Sequence, residues 1–448
     1  MSALGTIKKI KNLITGSETV FEMNQEFTDC VRSMEETNLN LFITGKAGTG
    51  KSTLIEYFRN TTKKKIVVLA PTGLAAINVK GQTIHSFFHL APRFADPFTV
   101  PRRSNSRIYK DLDTVIIDEI SMVRADTFDA VDRFLRLNGK DRNLPFGGVQ
   151  VIVVGELYQL PPIVSREETH IFSQFFESPY FFSSKVFSEA EFSVIELSHI
   201  FRQKDEKYIE LLNKIRVGEV SMSDLELVNS RIVTHDYEKV RREFITLATT
   251  NSVVAGINDS ELNKIDAPLF TYQAVVEDDF PTEDRTLPVE LELKLKKGAR
   301  VIFVKNDKAR RWVNGTSGVV DALDKDGIKV KLDEEGFHDV VTVPIEEWEN
   351  IKYEYDDQKQ EVIPVVLGRL KQYPLKLAWA ITIHKSQGMT FNKANIDFSR
   401  SPFTHGQTYV ALSRCRTLGG MVVTKKIYPN DVMVDPRIIE FSKKIYRM

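Results

Sequence analysis

Eight residues constrain this chain more than any others: Gly45-Lys46-Ala47-Gly48-Thr49-Gly50-Lys51-Ser52. They fit G-x-x-x-x-G-K-[ST], a pattern whose glycines let backbone N–H groups close around phosphate oxygens. The Lys51 ammonium brings a compact charge to the β- and γ-phosphates, the Ser52 hydroxyl is a ligand for Mg²⁺, and the helix behind turns its positive end to the same place, with Thr53 next in line. Such a loop works only where a strand stops and a helix starts. The context supplies both: residues 40–44 (NLFIT) read as a strand and residues 52–58 as the start of a helix. The chain must therefore contain at least one parallel-sheet α/β unit.

Three more β-branched runs, residues 66–70, 114–117 and 149–154, alternate with helical patterns. Near-continuous apolar runs suit strands covered on both faces. Residues 196–216 read as a helical stretch. A second strand series begins at 244–248 and resumes at 377–381 and 421–424. Between them, 298–304 and 318–320 read as strands about the turn Asn314-Gly315, and 328–332 and 340–343 alternate, which predicts a small antiparallel module set into a second α/β unit. Residues 91–106 carry three prolines and read as an insertion, a small hairpin or wedge.

At 448 residues the chain has room for about three domains. It holds no apolar run of the length a membrane helix needs and no apolar signal region near its start. Two cysteines, Cys30 and Cys415, cannot make a disulfide framework or a four-ligand zinc site. An intracellular chain is expected. The net charge of zero argues by itself against a nucleic-acid partner. The average hides two blocks. Residues 321–361 hold 14 acidic and 5 basic side chains; residues 362–448 hold 14 basic and 4 acidic. A basic binding face remains available.

Val115-Ile116-Ile117-Asp118-Glu119 is the companion that the phosphate loop requires. Asp118, at a strand end, is placed to hold Mg²⁺ through its water shell, and Glu119 to polarise an attacking water. Loop and carboxylates together predict nucleoside triphosphate hydrolysis with ATP and Mg²⁺, but not what the hydrolysis drives.

Further strings narrow that choice: Ala70-Pro71-Thr72-Gly73-Leu74-Ala75-Ala76 with Thr83-Ile84-His85-Ser86-Phe87-Phe88; Gly155-Glu156-Leu157-Tyr158-Gln159-Leu160-Pro161-Pro162; Leu197-Ser198-His199-Ile200-Phe201-Arg202-Gln203; Ala380-Ile381-Thr382-Ile383-His384-Lys385-Ser386-Gln387-Gly388-Met389-Thr390; and Tyr409-Val410-Ala411-Leu412-Ser413-Arg414-Cys415-Arg416. In this order they resemble the superfamily 1 helicases, and within them the Pif1-like helicases, over nearly the whole chain after about residue 38. The QLPP string is the most family-specific. Glu156 departs from the usual Asp.

The resemblance implies two RecA-like domains. The first spans 38–195, with a wedge insertion at about 89–108. The second spans 196–317 and 374–448, split by an SH3-like insertion at 318–373. Residues 1–37 form an N-terminal segment. It also implies roles. Gln159 meets the γ-phosphate or its water, and Arg202 and Arg414 reach the transferred phosphoryl group from the second domain. Gln387 and Gly388 stand near the nucleotide; for Arg416 a structural role is left open. Single-stranded DNA is held by Pro71, Thr72, Gly73, His85, Ser86, Phe87, Thr249, Asn251, Thr382, His384, Lys385 and Ser386. The physics suits these assignments: small polar groups and helix ends for phosphates, His and Phe for base stacking. The family's adenine-reading glutamine finds only a poor counterpart in Gln25.

The leading expectation is an ATP-dependent 5′-to-3′ DNA helicase acting in genome maintenance (repair, recombination, telomeres), a monomeric motor on single-stranded, forked or structured DNA, without a membrane partner. Its compartment would be the cytoplasm or nucleoid in a bacterium, the nucleus or mitochondrion in a eukaryote. Two alternatives stay open: an AAA-type ATPase remodelling protein complexes, and a binding module with a dead nucleotide pocket.

Overall fold

The computed structural model describes residues 24–445 except 92–93, 96–98, 204, 234–236, 283–286, 310, 326, 334–339, 357 and 360. The first sheet contains β1 (Asn40–Gly45), β2 (Ile66–Ala70), β3 (Gln82–Thr83), β4 (Thr114–Ile117), β5 (Gln150–Val154) and β6 (Phe192–Leu197). All are parallel, in the order β3-β2-β4-β5-β1-β6. β4 and β5 are buried at every position, which is why their sequences show no alternation. The order matters for chemistry. β1, β5 and β4 are neighbours, so the segments that leave their C-terminal ends meet at one edge, where parallel sheets bind ligands.

The second sheet opens with β7 (Ile245–Ala248). Among the described residues ten antiparallel strands then intervene: β8 (Phe270–Gln273), β9 (Val275–Asp278), β10 (Glu292–Leu295), β11 (Arg300–Phe303), β12 (Ser317–Leu323), β13 (Ile328–Leu332), β14 (Val340–Val343), β15 (Glu346–Asp356), β16 (Glu361–Gln372) and β17 (Leu375–Leu377). The parallel sheet resumes with β18 (Ala380–Thr382), β19 (Ala394–Asp397) and β20 (Met421–Val423), in the order β18-β7-β19-β20. Two parallel α/β sheets are thus present, as expected.

Four local expectations need correction. Residues 196–216 are not one helix: β6 runs to Leu197, a turn follows, and the helix is Glu206–Val217, capped by the Asp205 side chain. Residues 377–381 are not one strand: β17 closes the antiparallel module and β18 returns to the parallel sheet. The antiparallel strands extend from Phe270 to Leu377, well beyond 318–373; short strands with exposed alternate positions, such as β8 and β9, leave too little periodicity to be seen in advance. The Pro-rich insertion forms no strand among its described residues. It is pinned on the helix Ala125–Asn138, Ala95 N–H donating to Asp126 Oδ2 at 2.8 Å and Arg103 N–H to Asn138 Oδ1 at 2.7 Å.

Contacts between the parts include two that lie away from the cleft. The Tyr353 hydroxyl of β15 accepts the Val68 N–H at 3.3 Å, and Tyr353 N–H donates to Gln82 Oε1 at 3.1 Å, so the antiparallel module leans on the first sheet. The C-terminal helix Pro436–Ile445 returns from the second sheet to the first, where the Phe441 ring stacks on Phe182 with centroids 4.2 Å apart and meets Phe181 and Phe187 edge-on. Removing this half-buried ring (Phe441→Ala) is expected to destabilise the chain by on the order of 2 kcal/mol, less than a fully enclosed Phe would, read as an earlier urea midpoint by tryptophan fluorescence. No helix among the described residues is long and apolar enough to cross a membrane.

Candidate active site

A cleft of about 500 Å³ lies where the two sheets face each other, lined by residues 47–53 of the phosphate loop, by Glu119, Gln159, Phe201 and Arg202, and by Gly388, Thr390, Arg414 and Arg416. The loop owes its shape to Gly48 and Gly50, both with φ near +85°. At Gly48 a Cβ would collide with the Cβ of Arg202. Gly45 and Lys46 stand behind the lining: their carbonyls accept from Lys51 Nζ at 2.6 and 3.0 Å. Burial lowers the Lys51 pKa, against the pull of Glu156, Glu119 and Asp118. Ser52 is exposed at the head of the helix Lys51–Thr61.

Glu119 follows β4 with φ +51°, a left-handed conformation that costs a non-glycine residue about 1–3 kcal/mol and turns it toward the cleft. Asp118 is held by its N–H to Leu69 O at 2.9 Å. Burial, and then the neighbouring Glu119, push the Asp118 carboxyl up to about 7; burial likewise raises Glu119. The buried Asp118, the half-buried Glu119 and the Ser52 hydroxyl are oxygen donors of the kind Mg²⁺ prefers, and Ser52 and Glu119 both line the cleft. A divalent cation here would also relieve the repulsion between the two carboxylates, so the residues present fit the ion.

Arginines close the far side. Arg414 is buried, its Nε donating to Val410 O at 2.9 Å and its Nη2 to Ser413 Oγ at 2.9 Å. Burial lowers its pKa, opposed by Tyr409 and Glu119. Arg202 contradicts the expectation that it comes from the second domain. It lies on the turn after β6, the edge strand of the first sheet, with Phe201 N–H donating to Gly48 O at 2.9 Å. From there its Nη1 crosses to Ser413 O at 3.3 Å. Burial, and then Arg414, push the Arg202 guanidinium down to about 9. Lys51 and Arg202, half-buried, and Arg414, buried, are thus cations brought to one cleft from three distant stretches of chain, an arrangement that an anionic ligand stabilises.

The comparisons with known proteins agree with this geometry. Residues 21–226 match the sequence model of the PIF1-like helicases. The ATP-dependent DNA helicase Pif1 of Bdellovibrio bacteriovorus is 33% identical over 426 residues, covering 93% of this chain and 90% of that one. The chain belongs to the PIF1-like helicase family. The crystal structure of Bacteroides sp Pif1 with ADP-AlF4 superposes with a TM-score of 0.87 at 36% identity, covering 95% of this chain and 97% of that one. The complex of Bacteroides Pif1 with ADP-AlF3 and ssDNA superposes with 0.66 at 37% identity, over 95% and 97%.

In this PIF1-like helicase the expected strand-contact residues divide by exposure. Thr72, Ser86, Asn251 and Lys385 are exposed, and Pro71, Gly73, His85 and His384 half-buried. All eight follow the C-terminal ends of β2, β3, β7 and β18. The other four are corrections. Phe87 is 2% exposed, its ring packed edge-on against Phe88, Tyr109 and Tyr353. Ser386 is wholly buried and donates to Ile383 O at 2.7 Å. Thr382 is buried and accepts the Lys385 N–H at 3.2 Å; Thr249 is buried and donates to Arg400 O at 3.3 Å. These hydroxyls shape the loops that present their neighbours.

Gln387 stands behind Gly388 and donates to Gln159 Oε1 at 3.3 Å, joining the two glutamine motifs directly. Gln25 donates to Asp29 Oδ1 at 2.8 Å on an exposed helix face and is not among the residues lining the cleft. Arg416 lines it. Sequence reasoning missed Tyr409 as a site residue, although it begins one of the quoted strings: its hydroxyl accepts the Ala47 N–H of the phosphate loop at 3.2 Å. It also missed Arg216, which donates to Glu156 at 3.0 Å and belongs to no motif.

Proposed function

We propose that this chain is an ATP-dependent DNA helicase that moves 5′-to-3′ along single-stranded DNA as a monomer and separates duplex or otherwise structured DNA ahead of it. One observation carries the reading: Lys51, Arg202 and Arg414 converge with Glu119 on a single cleft between two parallel sheets, and both sheets carry exposed polar loops at their C-terminal edges. Relatives named as ATP-dependent DNA helicases, and one solved with ssDNA, support it.

Each group has a task in this scheme. Lys51 and the loop N–H groups hold the β- and γ-phosphates. Ser52 and Asp118 would hold Mg²⁺, which supplies positive charge at the phosphate oxygens. Glu119 orients the attacking water and accepts its proton, with Gln159 beside it. Arg202 and Arg414 neutralise charge that builds on the equatorial oxygens. Arg414 moves with the second sheet, so filling the cleft draws the sheets together and emptying it lets them part. The Gln159–Gln387 bond carries that movement into the loop bearing His384 and Lys385. Alternate gripping by the two sets of loops then advances the strand. All the arginines come from the same chain, so the cleft has no need of a ring neighbour, unlike an AAA-type remodeller.

The decisive test is strand separation on duplexes with either a 5′ or a 3′ single-stranded tail, with ATP and Mg²⁺. Unwinding of the 5′-tailed duplex alone is expected. Unwinding of the 3′-tailed duplex alone would reverse the polarity, and unwinding of neither would remove the motor reading.

A further inference from the structure

The segment Glu156-Leu157-Tyr158-Gln159 leaves β5 and is packed on three sides. Glu156 is 1% exposed. Its Oε1 accepts from Arg216 Nε at 3.0 Å, while its Oε2 is buried and finds no hydrogen-bond donor among the described residues. Arg216 lies over the Tyr158 ring, 4.3 Å from its centroid, and is itself buried. On the third side the backbone turn at Gly406, with φ +73°, sits flush on the Tyr158 and Gln159 carbonyls and leaves no room for a Cβ.

Arg216 is on the helix Glu206–Val217. One end of that helix is tied to the arginine-bearing helix Gln407–Ser413, where the Tyr208 hydroxyl donates to Leu412 O at 2.6 Å. Its other end carries the ion pair to Glu156. Tyr409, on the same arginine-bearing helix, reaches the phosphate loop through Ala47. Among the charges around Lys51, the Glu156 carboxylate pulls hardest. The 156–159 turn therefore acts on the phosphate loop's lysine through the field of Glu156, on the arginine helix by packing at Gly406, and on the Lys385 loop through Gln159. A buried ion pair whose second oxygen has no donor is poor design for stability alone. It makes sense if that oxygen faces the lysine that must move onto the nucleotide.

We propose that Arg216 is a positioning residue for turnover: it holds Glu156 beneath the phosphate loop and locks the 156–159 turn, so that Lys51 and Arg414 come into line only when this joint is formed. The inference rests on the motor reading above and adds to it a residue that lies outside every motif. It also accounts for Glu156 where the family pattern has the shorter Asp: the longer side chain is the one that meets Arg216 here.

Three variants test it by steady-state ATP turnover with saturating oligonucleotide and by thermal melting. Arg216→Lys keeps the charge but loses the flat stack on Tyr158. It should melt with the wild type, lower kcat at least ~5-fold and change the KM for ATP by less than ~2-fold, because the joint, already formed here, positions groups that act chiefly on the transition state. Arg216→Met strands the Glu156 charge and should fall in both stability and turnover. Glu156→Met with Arg216→Met removes both charges; its melting should recover to within a few degrees of wild type while kcat stays at least ~10-fold down. Recovery of kcat together with melting would overturn the proposal, since the pair would then serve only the fold. Unchanged kcat in Arg216→Lys would overturn it equally, and decides the matter if the double variant does not fold. Wild-type protein without oligonucleotide-stimulated turnover would instead sink the motor reading, and this inference with it.

Discussion

Arg414→Ala is expected to lower DNA-stimulated ATP turnover by about 10³-fold or more, the range found for arginine fingers in phosphoryl transfer. The guanidinium lines the cleft, and among the described residues its hydrogen bonds run to Val410 and Ser413 of the helix before it and to Met389 O, at 3.5 Å. It therefore has donors to spare for a γ-phosphoryl group whose equatorial oxygens gain charge as the bond breaks. An interaction made chiefly at that moment affects kcat far more than the KM for ATP. Arg414→Lys separates charge from geometry: a point charge in place of a planar fork should recover only a small part of the rate. The measurement is turnover at saturating ATP with and without an oligonucleotide. Full DNA-stimulated hydrolysis in Arg414→Ala would show that the second sheet contributes no finger, and the coupling of cleft closure to strand movement would lose its basis.

Lys51→Ala is expected to abolish turnover to a similar practical extent, about 10²–10³-fold at least, the scale for removing one preorganised donor from a charge-stabilising site. Two effects add. The positive charge at the β- and γ-phosphates disappears. So do the bonds from Nζ to the Gly45 and Lys46 carbonyls, which brace the loop from beneath. The exposed residues expected to contact the strand, Thr72, Ser86, Asn251 and Lys385, do not line the cleft that Lys51 lines, so oligonucleotide affinity measured by fluorescence anisotropy should stay within a few-fold of wild type. Strand separation should vanish with turnover. Unwinding that survives in Lys51→Ala would disconnect the phosphate loop from the motor. Loss of oligonucleotide binding would mean that the substitution had damaged the fold rather than the chemistry.

The strings that met the structure best were those whose chemistry depends on local backbone. Residues 45–52 need only a strand, two glycines in left-handed conformations and a helix start, all encoded within about a dozen positions. Asp118-Glu119 after β4 and the Gln159 string after β5 are of the same kind. Parallel strands buried on both faces also announce themselves, because nothing polar interrupts them. The antiparallel strands reach further than the sequence suggests, from Phe270 to Leu377, for the opposite reason. β8 and β9 are four residues each and largely exposed, so their sequences carry little signal until partner strands exist.

Side-chain direction was the other gap. Phe87 and Ser386 belong to strings expected to meet nucleic acid, yet the ring and the hydroxyl turn inward, a choice made by what packs beneath them. Exposure is a property of the assembled layers, and one-residue steps along a turn reverse it.

The sequence by itself determined that a triphosphate site stands at the end of a parallel strand, that a second parallel series follows, and that carboxylates and arginines of the right types are at hand. Those facts rest on contacts between residues close in the chain. Only the tertiary structure decided that Arg202 arrives from the edge of the first sheet, that Tyr409 braces the phosphate loop, and that Glu156 finds Arg216 sixty positions away. The physical reason is that a buried charge must find its partner in space, and no local pattern records which distant helix will supply it.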